Sequence, residues 1–510
     1  MKSSWSLTLA SPAPSSEGPA HDRNFPGAFA LLLLAVFALI VFLAHLPYLG
    51  LPYFWDELGQ FVPAALDIYH DGAWIPHSTV PNAHPPAVMA YLALVWRTFG
   101  YSIAATRSAM LAQASLAVFF TFLLGRQIGR TRAPAVVAAL FLLLDPLFYT
   151  QGMMAQLDMP AMLFTVLALG LFFRDRHAAA AAACTALVLA KETGALLPLI
   201  LGLVLFFDPT RSKYTAYYLA PFAALGIWFL TLWRITGHIF GDPGFTQYNT
   251  LYSLNPVRAS LTLLRRLYYL FLDDFRWVGT IAILLAWRRE RLYTTRAWKI
   301  VWCFIAAHVL LVSLLGGAGL ERYLLPVLPL VYIAMAAAFA VMDPPWRIFG
   351  ASLMAVGLLA GLFLNPPFPM PFENNLAMAD FVELHRDAAQ FLEKSYPEKT
   401  IYTAWPLTQA LRDPAFGYVD KKLSAAETSD LRVSTLNAIN PKGVDVLVLY
   451  SRTWEPGWGV LQWVPARDFL QRFYEYEREM TPAEVHQHFG LVPVQRWARR
   501  GQWIEVYARP

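Results

Sequence analysis

Apolar residues run along the first 370 positions as a ladder of segments about 15–25 residues long, parted by short polar loops. A helix crosses a hydrocarbon core of ~30 Å in about 20 residues, so runs of this length read as membrane spans. The pattern predicts spans over 26–46, 104–124, 133–150, 159–173, 178–191, 194–207, 214–233, 261–286, 298–315, 323–341 and 347–364, about 11 in all. Before them, residues 1–25 are rich in Ser, Pro and Ala and read as a disordered cytoplasmic tail. Leu58, Phe61, Val62, Ala65, Leu66 and Tyr69 recur at helical spacing, which predicts an amphipathic interfacial helix over 57–70. The apolar stretch 86–99 reads as a re-entrant or interfacial helix rather than a span.

Cations set the orientation. Arg126, Arg130 and Arg132 follow the second span, Arg174 and Arg176 the fourth, Arg211 and Lys213 the sixth. Arg288, Arg289, Arg291, Arg296 and Lys299 follow the eighth, and Arg347 the tenth. Basic loops stay in the cytoplasm. Loops 47–103, 151–158, 234–260 and 316–322 then face outward, with everything after about residue 365. Counting 86–99 as a span would place the Arg126–Arg132 cluster outside.

Beyond the last span the pattern changes. The stretch NPPFPMPF at 365–372 is a linker by its prolines. Phe381, Leu384, Ala388 and Phe391 mark an amphipathic helix, and 400–404, 445–450 and 503–507 read as strands. The expected fold is a mainly α polytopic bundle over 26–365, carrying a small α/β extracytoplasmic domain over 366–510.

Composition agrees. The chain is 57% hydrophobic and only 15% charged, against about 25% charged for soluble proteins. The net charge of +5 is accounted for by the basic loops and calls for no nucleic acid. Cys184 and Cys303 both lie in apolar segments, where no disulfide is expected.

Several ionisable groups fall at span ends. Asp56 and Glu57 stand in PYFWDELGQF; they read either as a helix cap and first-turn acid or as a general base beside an apolar groove. Asp158, in MMAQLDMPAMLF, reads as a helix start or as a second acid at the same mouth. His84, in PNAHPPAVMAY, can contact a phosphate, a metal or a backbone carbonyl. Lys191 and Glu192 can pair with each other, or Lys191 can reach an anion. Arg322, in the run Glu321-Arg322-Tyr323, can snorkel to headgroups or hold a phosphate in a two-pronged grip. His238 and Asp242 are a weaker addition from GHIFGDPGF. All face outward in this topology. Together with apolar grooves they suit an amphiphile with an anionic head, and transfer of a group from a phosphate-linked lipid. Two other classes compete: a transporter or lipid flippase, whose charges usually sit near the midplane, and a non-catalytic scaffold.

YFWDE at 53–57, HPPAVMAYLALVW at 84–96, QLDMP at 156–160, KETGALLP at 191–198 and RYLLPVLP at 322–329 carry a resemblance. In their order and spacing they resemble the bacterial GT-C class of membrane glycosyltransferases, namely the protein mannosyltransferase-like enzymes and the aminoarabinose transferases of lipid A. The resemblance implies sugar transfer, with inversion, from a polyprenyl-phosphate carrier to a lipid, glycan or protein acceptor on the outer face of the bacterial inner membrane. It implies Asp56 as catalytic base, Asp158 as the second acid, and Lys191 and Arg322 facing the lipid phosphate. Glu57, His84 and Tyr323 are expected beside the substrate. The aminoarabinose enzymes usually carry Lys before the paired prolines, where this chain has His84. Metal use varies in the class; no metal cage is legible here, and a divalent metal stays open.

Overall fold

The computed structural model describes residues 27–129, 132–289, 292–317, 319–364, 373–451 and 463–510. The expected tail and the proline linker at 365–372 lie outside the described residues. Helices fall on the expected segments: Gly27–His45, Ile103–Gly129, Asp158–Phe172, His177–Ala190, Leu196–Phe206, Leu219–Thr236, Arg296–Leu314, Leu328–Ala340 and Pro344–Gly361. Of the about 11 spans expected, fewer than half are clear by length and composition. Among the described residues, four helices are long and apolar enough to cross a membrane alone, or 5 if a bent pair counts as one. The others are short or broken, and the breaks have identifiable causes.

The segment expected at 133–150 is two helices, Arg132–Leu144 and Pro146–Met153, bent by 66°. Pro146 has no N–H to continue the ladder, and the Asp145 carboxylate caps the second helix by accepting from Phe148 N at 2.8 Å. The segment expected at 261–286 is also two helices, Pro256–Phe271 and Arg276–Arg289. Between them Asp274 and Phe275 take φ of 46° and 63°, left-handed values unusual for a phenylalanine. Gly357 and Gly361 admit this turn: a Cβ on Gly361 would stand 2.1 Å from Asp274 Oδ1, and one on Gly357 2.3 Å from Phe275 Cβ.

The two breaks meet. Arg276 Nη2 donates to Asp145 Oδ2 at 2.5 Å and to Tyr269 OH at 3.2 Å, while its Nε donates to Tyr332 OH at 3.0 Å. Tyr332 OH in turn donates to Asp145. Arg276 and Asp145 are fully buried. A charge there is tolerable only when paired and hydrogen-bonded, as these are.

The interfacial elements are where the periodicity put them. A π-helical turn, Glu57–Phe61, runs into helix Val62–Asp71, which ends at left-handed Gly72. Helix Ala87–Phe99 packs against it. The bundle has two chemically distinct ends. Arg211 pairs with Asp175 at 2.7 Å and Arg296 with Asp208 at 2.7 Å, gathering three of the expected cytoplasmic loops. Helix Asp158–Phe172 leads from the other end to this one, a rise of about 22 Å at ~1.5 Å per residue. Leu32, Leu39, Ile227, Leu230, Leu284 and Phe349 are among the large apolar side chains left exposed around the helices, as a lipid-facing belt requires.

The C-terminal part carries a five-stranded sheet in the order β2-β1-β3-β5-β4. Its strands are β1 Ile401–Ala404, β2 Ala425–Thr428, β3 Val446–Tyr450, β4 Val492–Arg499 and β5 Gln502–Ala508. β1 runs parallel to β2 and β3, whereas β5 runs antiparallel to β3 and β4. Helix Ala377–Ser395 packs on β4 and β5, burying Phe381, Leu384 and Ala388. The sequence pattern missed the two edge strands: β4 is mostly exposed and contains Pro493, and β2 is only half-buried. The sheet region docks on the helices. Tyr418 OH donates to Tyr53 O at 2.7 Å, and Trp405 stacks edge-on against Trp55 at 4.7 Å. Gly59 makes room for that tryptophan, since a Cβ there would lie 2.8 Å from Trp405 Nε1.

The Asp145–Arg276 pair gives a test. Asp145→Ala strands a buried guanidinium, which typically costs about 3–5 kcal/mol. Replacing both members with apolar residues of similar size should restore most of that. Thermal unfolding in detergent should therefore show a large drop for the single variant and a smaller one for the double; equal drops would contradict a paired clamp.

Candidate active site

Asp56 and Asp158 meet through one arginine. Asp56 opens the π-helical turn after Trp55, whose φ of 48° is held by packing on Phe54, Phe381 and Trp405. It makes no capping hydrogen bond, so the capping alternative does not describe it. Its Oδ2 accepts instead from Arg322 Nη2. Asp158 starts helix Asp158–Phe172, its Oδ1 accepting from Lys191 Nζ at 2.5 Å and its Oδ2 lying 3.3 Å from Arg322 Nε. Arg322 sits on the short turn Glu321–Leu324 and is 3% exposed. Its Nη1 donates to Glu373 Oε2 at 2.6 Å. One guanidinium thus faces three carboxylates.

Tyr323 gathers the cations. Lys191 Nζ lies 4.1 Å from the ring centre, and the guanidinium carbons of Arg266 and Arg322 lie at 5.5 and 5.6 Å. Arg322 and Lys191 are already engaged by acids. Arg266 is different: it is 1% exposed, and its three guanidinium nitrogens have no hydrogen-bond partner. Its neighbour Arg265 pairs with Glu321 at 2.5 Å.

Glu57 corrects an expectation. It is fully buried and turned away from Asp56. Its Oε2 accepts from Phe54 N at 2.8 Å, and its Oε1 accepts from Arg107 Nη1 at 2.5 Å and Ala155 N at 2.6 Å. Arg107 also donates to Met153 O and Pro52 O, at 3.0 and 2.9 Å. Adjacent helical residues point about 100° apart. Glu57 therefore does not face the site as expected for a substrate contact; it ties the loop carrying Asp56 to residues 153–155, and so sets Asp56 beside Asp158.

His84 Nδ1 lies 2.9 Å from Glu192 Oε2, at the rim of an apolar groove lined by Phe61, Ile68, Trp74, Met89 and Trp228. Burial pushes the Glu192 carboxyl up, but the charge and hydrogen bond of His84, with Lys191 nearby, outweigh it and hold it down at about 2. Asp242 caps helix Pro243–Asn249 through Phe245 N at 2.8 Å and donates its own N–H to Pro81 O at 2.8 Å, so it braces the groove loop. His238 is exposed and joins no cluster with the acids. Asp67, Asp71 and His77 bring potential metal-ligating atoms within 4.8 Å of one another. Asp67 Oδ2 is already filled there by His77 N at 2.8 Å, Ser78 N at 3.0 Å and Ser78 Oγ at 2.9 Å, which pins the loop without an ion.

Three residues of the site escaped the sequence reading. Arg107 sits inside an apolar span, where a lone cation is itself a signal; Arg266 follows Arg265 on the amphipathic helix Pro256–Phe271, where paired arginines read as a solvated face. Glu373 follows the proline linker, and nothing in its neighbours distinguishes it. Its carbonyl accepts from Thr150 Oγ1 at 2.6 Å and Gln151 Nε2 at 3.0 Å, and its Oε1 is buried without a partner. Burial pushes its carboxyl up to about 7; Arg322 pulls against this, and Asp56 and Asp158 add to it.

Residues 94–240 match the family described as dolichyl-phosphate-mannose-protein mannosyltransferase. The crystal structure of ArnT from Cupriavidus metallidurans bound to undecaprenyl phosphate superposes with a TM-score of 0.55 at 14% identity, covering 94% of this chain and 98% of that one. The protein has the same fold, GT-C. The apo state of the same ArnT gives a TM-score of 0.54, with 14% identity and the same coverage, 94% and 98%. The archaeal oligosaccharyltransferase AglB from Archaeoglobus fulgidus gives 0.51 at 12% identity, over 83% of this chain and 69% of that one. Comparison with curated protein sequences finds no match. The family match spans Asp158 and Lys191 and stops short of Arg322, which the GT-C fold then brings back to them.

The two neighbouring acids should separate by experiment. Glu57→Ala leaves Arg107 buried and unpaired and should lower the unfolding temperature markedly, in line with about 3–5 kcal/mol. Asp56 is 19% exposed, and Asp56→Ala should cost far less. Equal losses on heating in detergent would undo this division.

Proposed function

We propose that the protein is an inverting membrane glycosyltransferase that moves a sugar from a polyprenyl-phosphate carrier to a lipid, glycan or protein acceptor. The observation that carries the reading is the pairing of Asp56 and Asp158 on one guanidinium beside the unpaired, buried Arg266. In this reading the acceptor hydroxyl gives its proton to Asp56, the most exposed acid of the cluster. Its oxygen attacks the anomeric carbon from the face opposite the phosphate. The new carbon–oxygen bond forms as the sugar–phosphate bond breaks, and the electron pair leaves on the phosphate oxygen. Asp158 positions Lys191 and Arg322 around that point.

The sequence alone points to Lys191 and Arg322 for the phosphate. Their acid partners make Arg266 the better anchor, with Lys191 and Tyr323 beside it. A preorganised cation in a dry site stabilises the leaving group's growing charge with little reorganisation. The GT-C domain would cover 26–365 and cross the membrane about 11 times, with the short and broken helices completing the set. The site end and the 366–510 domain would face outward from a bacterial inner membrane, opposite the Arg211 and Arg296 loops. Nothing favours the transporter reading: the charged groups cluster at one end of the bundle.

Asp56→Asn should lower transfer about 10²–10⁴-fold, the usual worth of a general base, while carrier binding survives. Near-normal turnover would remove Asp56 from that role. Arg266→Met should weaken undecaprenyl phosphate binding about 10–100-fold, as loss of hydrogen bonds to a charged group at ~1.5–3 kcal/mol implies. A reporter fused after residue 364 should be active outside the cytoplasm; cytoplasmic activity there would reverse the orientation.

A further inference from the structure

Among the cations of the site, Arg322 stands out for having too many anions. Asp56, Asp158 and Glu373 converge on it, and Lys191 helps to balance them through Asp158. Two of these acids belong to the outer loops of the bundle. The third arrives from the far side of the linker, anchored by its carbonyl to Thr150 and Gln151. Only one of its carboxylate oxygens is used: Oε2 takes Arg322 Nη1 at 2.6 Å, while Oε1 is buried with no partner. A half-satisfied buried carboxylate is poorly placed to stay charged, and readily accepts a proton when its one donor is withdrawn.

We infer that Glu373 is a positioning residue that occupies the Arg322 Nη1 donor until the carrier's phosphate takes its place, and that it picks up a proton when displaced. The inference rests on the lipid-phosphate reading above. The exchange balances: Arg322 Nη1–H passes from the Glu373 carboxylate to a phosphate oxygen, and a solvent proton neutralises the released carboxylate. The exchange thereby admits a singly charged anion with no net gain of negative charge at the site. Burial already pushes the Glu373 carboxyl up to about 7, against Arg322 and with Asp56, Asp158 and Glu321 adding to the push. A phosphate in the same place acts in the same direction.

The sign follows from linkage. If binding takes up one proton, affinity is flat while Glu373 is protonated in the free protein, and falls tenfold per pH unit once it is ionised. The test uses the purified full chain in detergent and the methyl ester of undecaprenyl phosphate, a phosphodiester whose charge does not change between about pH 6 and pH 9. Wild-type affinity should begin to fall near pH 7 and approach that slope. Glu373→Gln should bind with little dependence on pH, and more tightly than wild type at about pH 9. Glu373→Asp should restore the slope. The remaining titratable and charged groups that face the site, Asp56, Asp158, Lys191, Arg265, Arg266, His308, Glu321, Arg322 and Tyr323, are unchanged in these variants, so a slope surviving in the Gln variant belongs to them and overturns the inference. Weaker binding by the Gln variant at every pH would overturn it too, as the mark of a merely structural residue. Should the Gln variant fail to fold, an onset that does not move between wild type and Glu373→Asp overturns the inference equally. If the ester binds neither wild type nor variant, the lipid-phosphate reading itself fails, which is a distinct result.

Discussion

The Arg322 guanidinium is the point on which this site depends. Three stretches far apart in sequence reach it: the loop before helix Val62–Asp71 with Asp56, the start of a helix with Asp158, and Glu373 beyond the linker. Three carboxylates so close would repel one another without it. A single buried arginine among them converts that repulsion into a fixed geometry, because its planar fork presents separate N–H groups in set directions. The region carrying the sheet is tied in by the same contact, since Glu373 lies just before the helix that packs on β4 and β5.

Legibility differed from residue to residue. The acids Asp56 and Asp158 stood out because they interrupt apolar runs at loops on one expected side, and they do share a guanidinium. The helical segments were legible for the same reason, as apolar period and length survive in the fold. Their continuity was not. Pro146 and the Asp273-Asp274-Phe275 turn break helices, and the break at Asp274 depends on glycines some 80 positions later that leave it room. Arg107 and Arg276 give no loop signal, although a cation within an apolar run is itself informative. The edge strands β2 and β4 carry too little burial to leave a pattern.

Glu57 shows the limit of reading a motif as a unit. Asp56 and Glu57 are adjacent and chemically alike, and the sequence offered both to the substrate. The turn of a helix sends them to different partners. One joins the charged cluster; the other disappears against Arg107 and two backbone amides. The second makes the first possible, because the Glu57–Arg107–Met153 contacts hold the loop bearing Asp56 against the segment leading to Asp158.

The buried arginines can be ordered by how fully they are satisfied, and the order separates scaffold from site. Arg107 and Arg276 spend their donors on carboxylates, carbonyls and tyrosine hydroxyls within the bundle. Such closed networks fix a structure and have nothing left to offer a ligand. Arg322 holds three acids from separate segments, and of these Asp56 is the partly exposed one. Arg266 is buried and without hydrogen bonds. A buried guanidinium left in that state is costly to the protein alone. An entering anion would offset that cost, and the neighbourhood of the Tyr323 ring, with Lys191 4.1 Å and Arg266 5.5 Å from its centre, is where the proposed phosphate would lie. The gradient from closed to open donors thus runs from the frame of the molecule toward its chemistry.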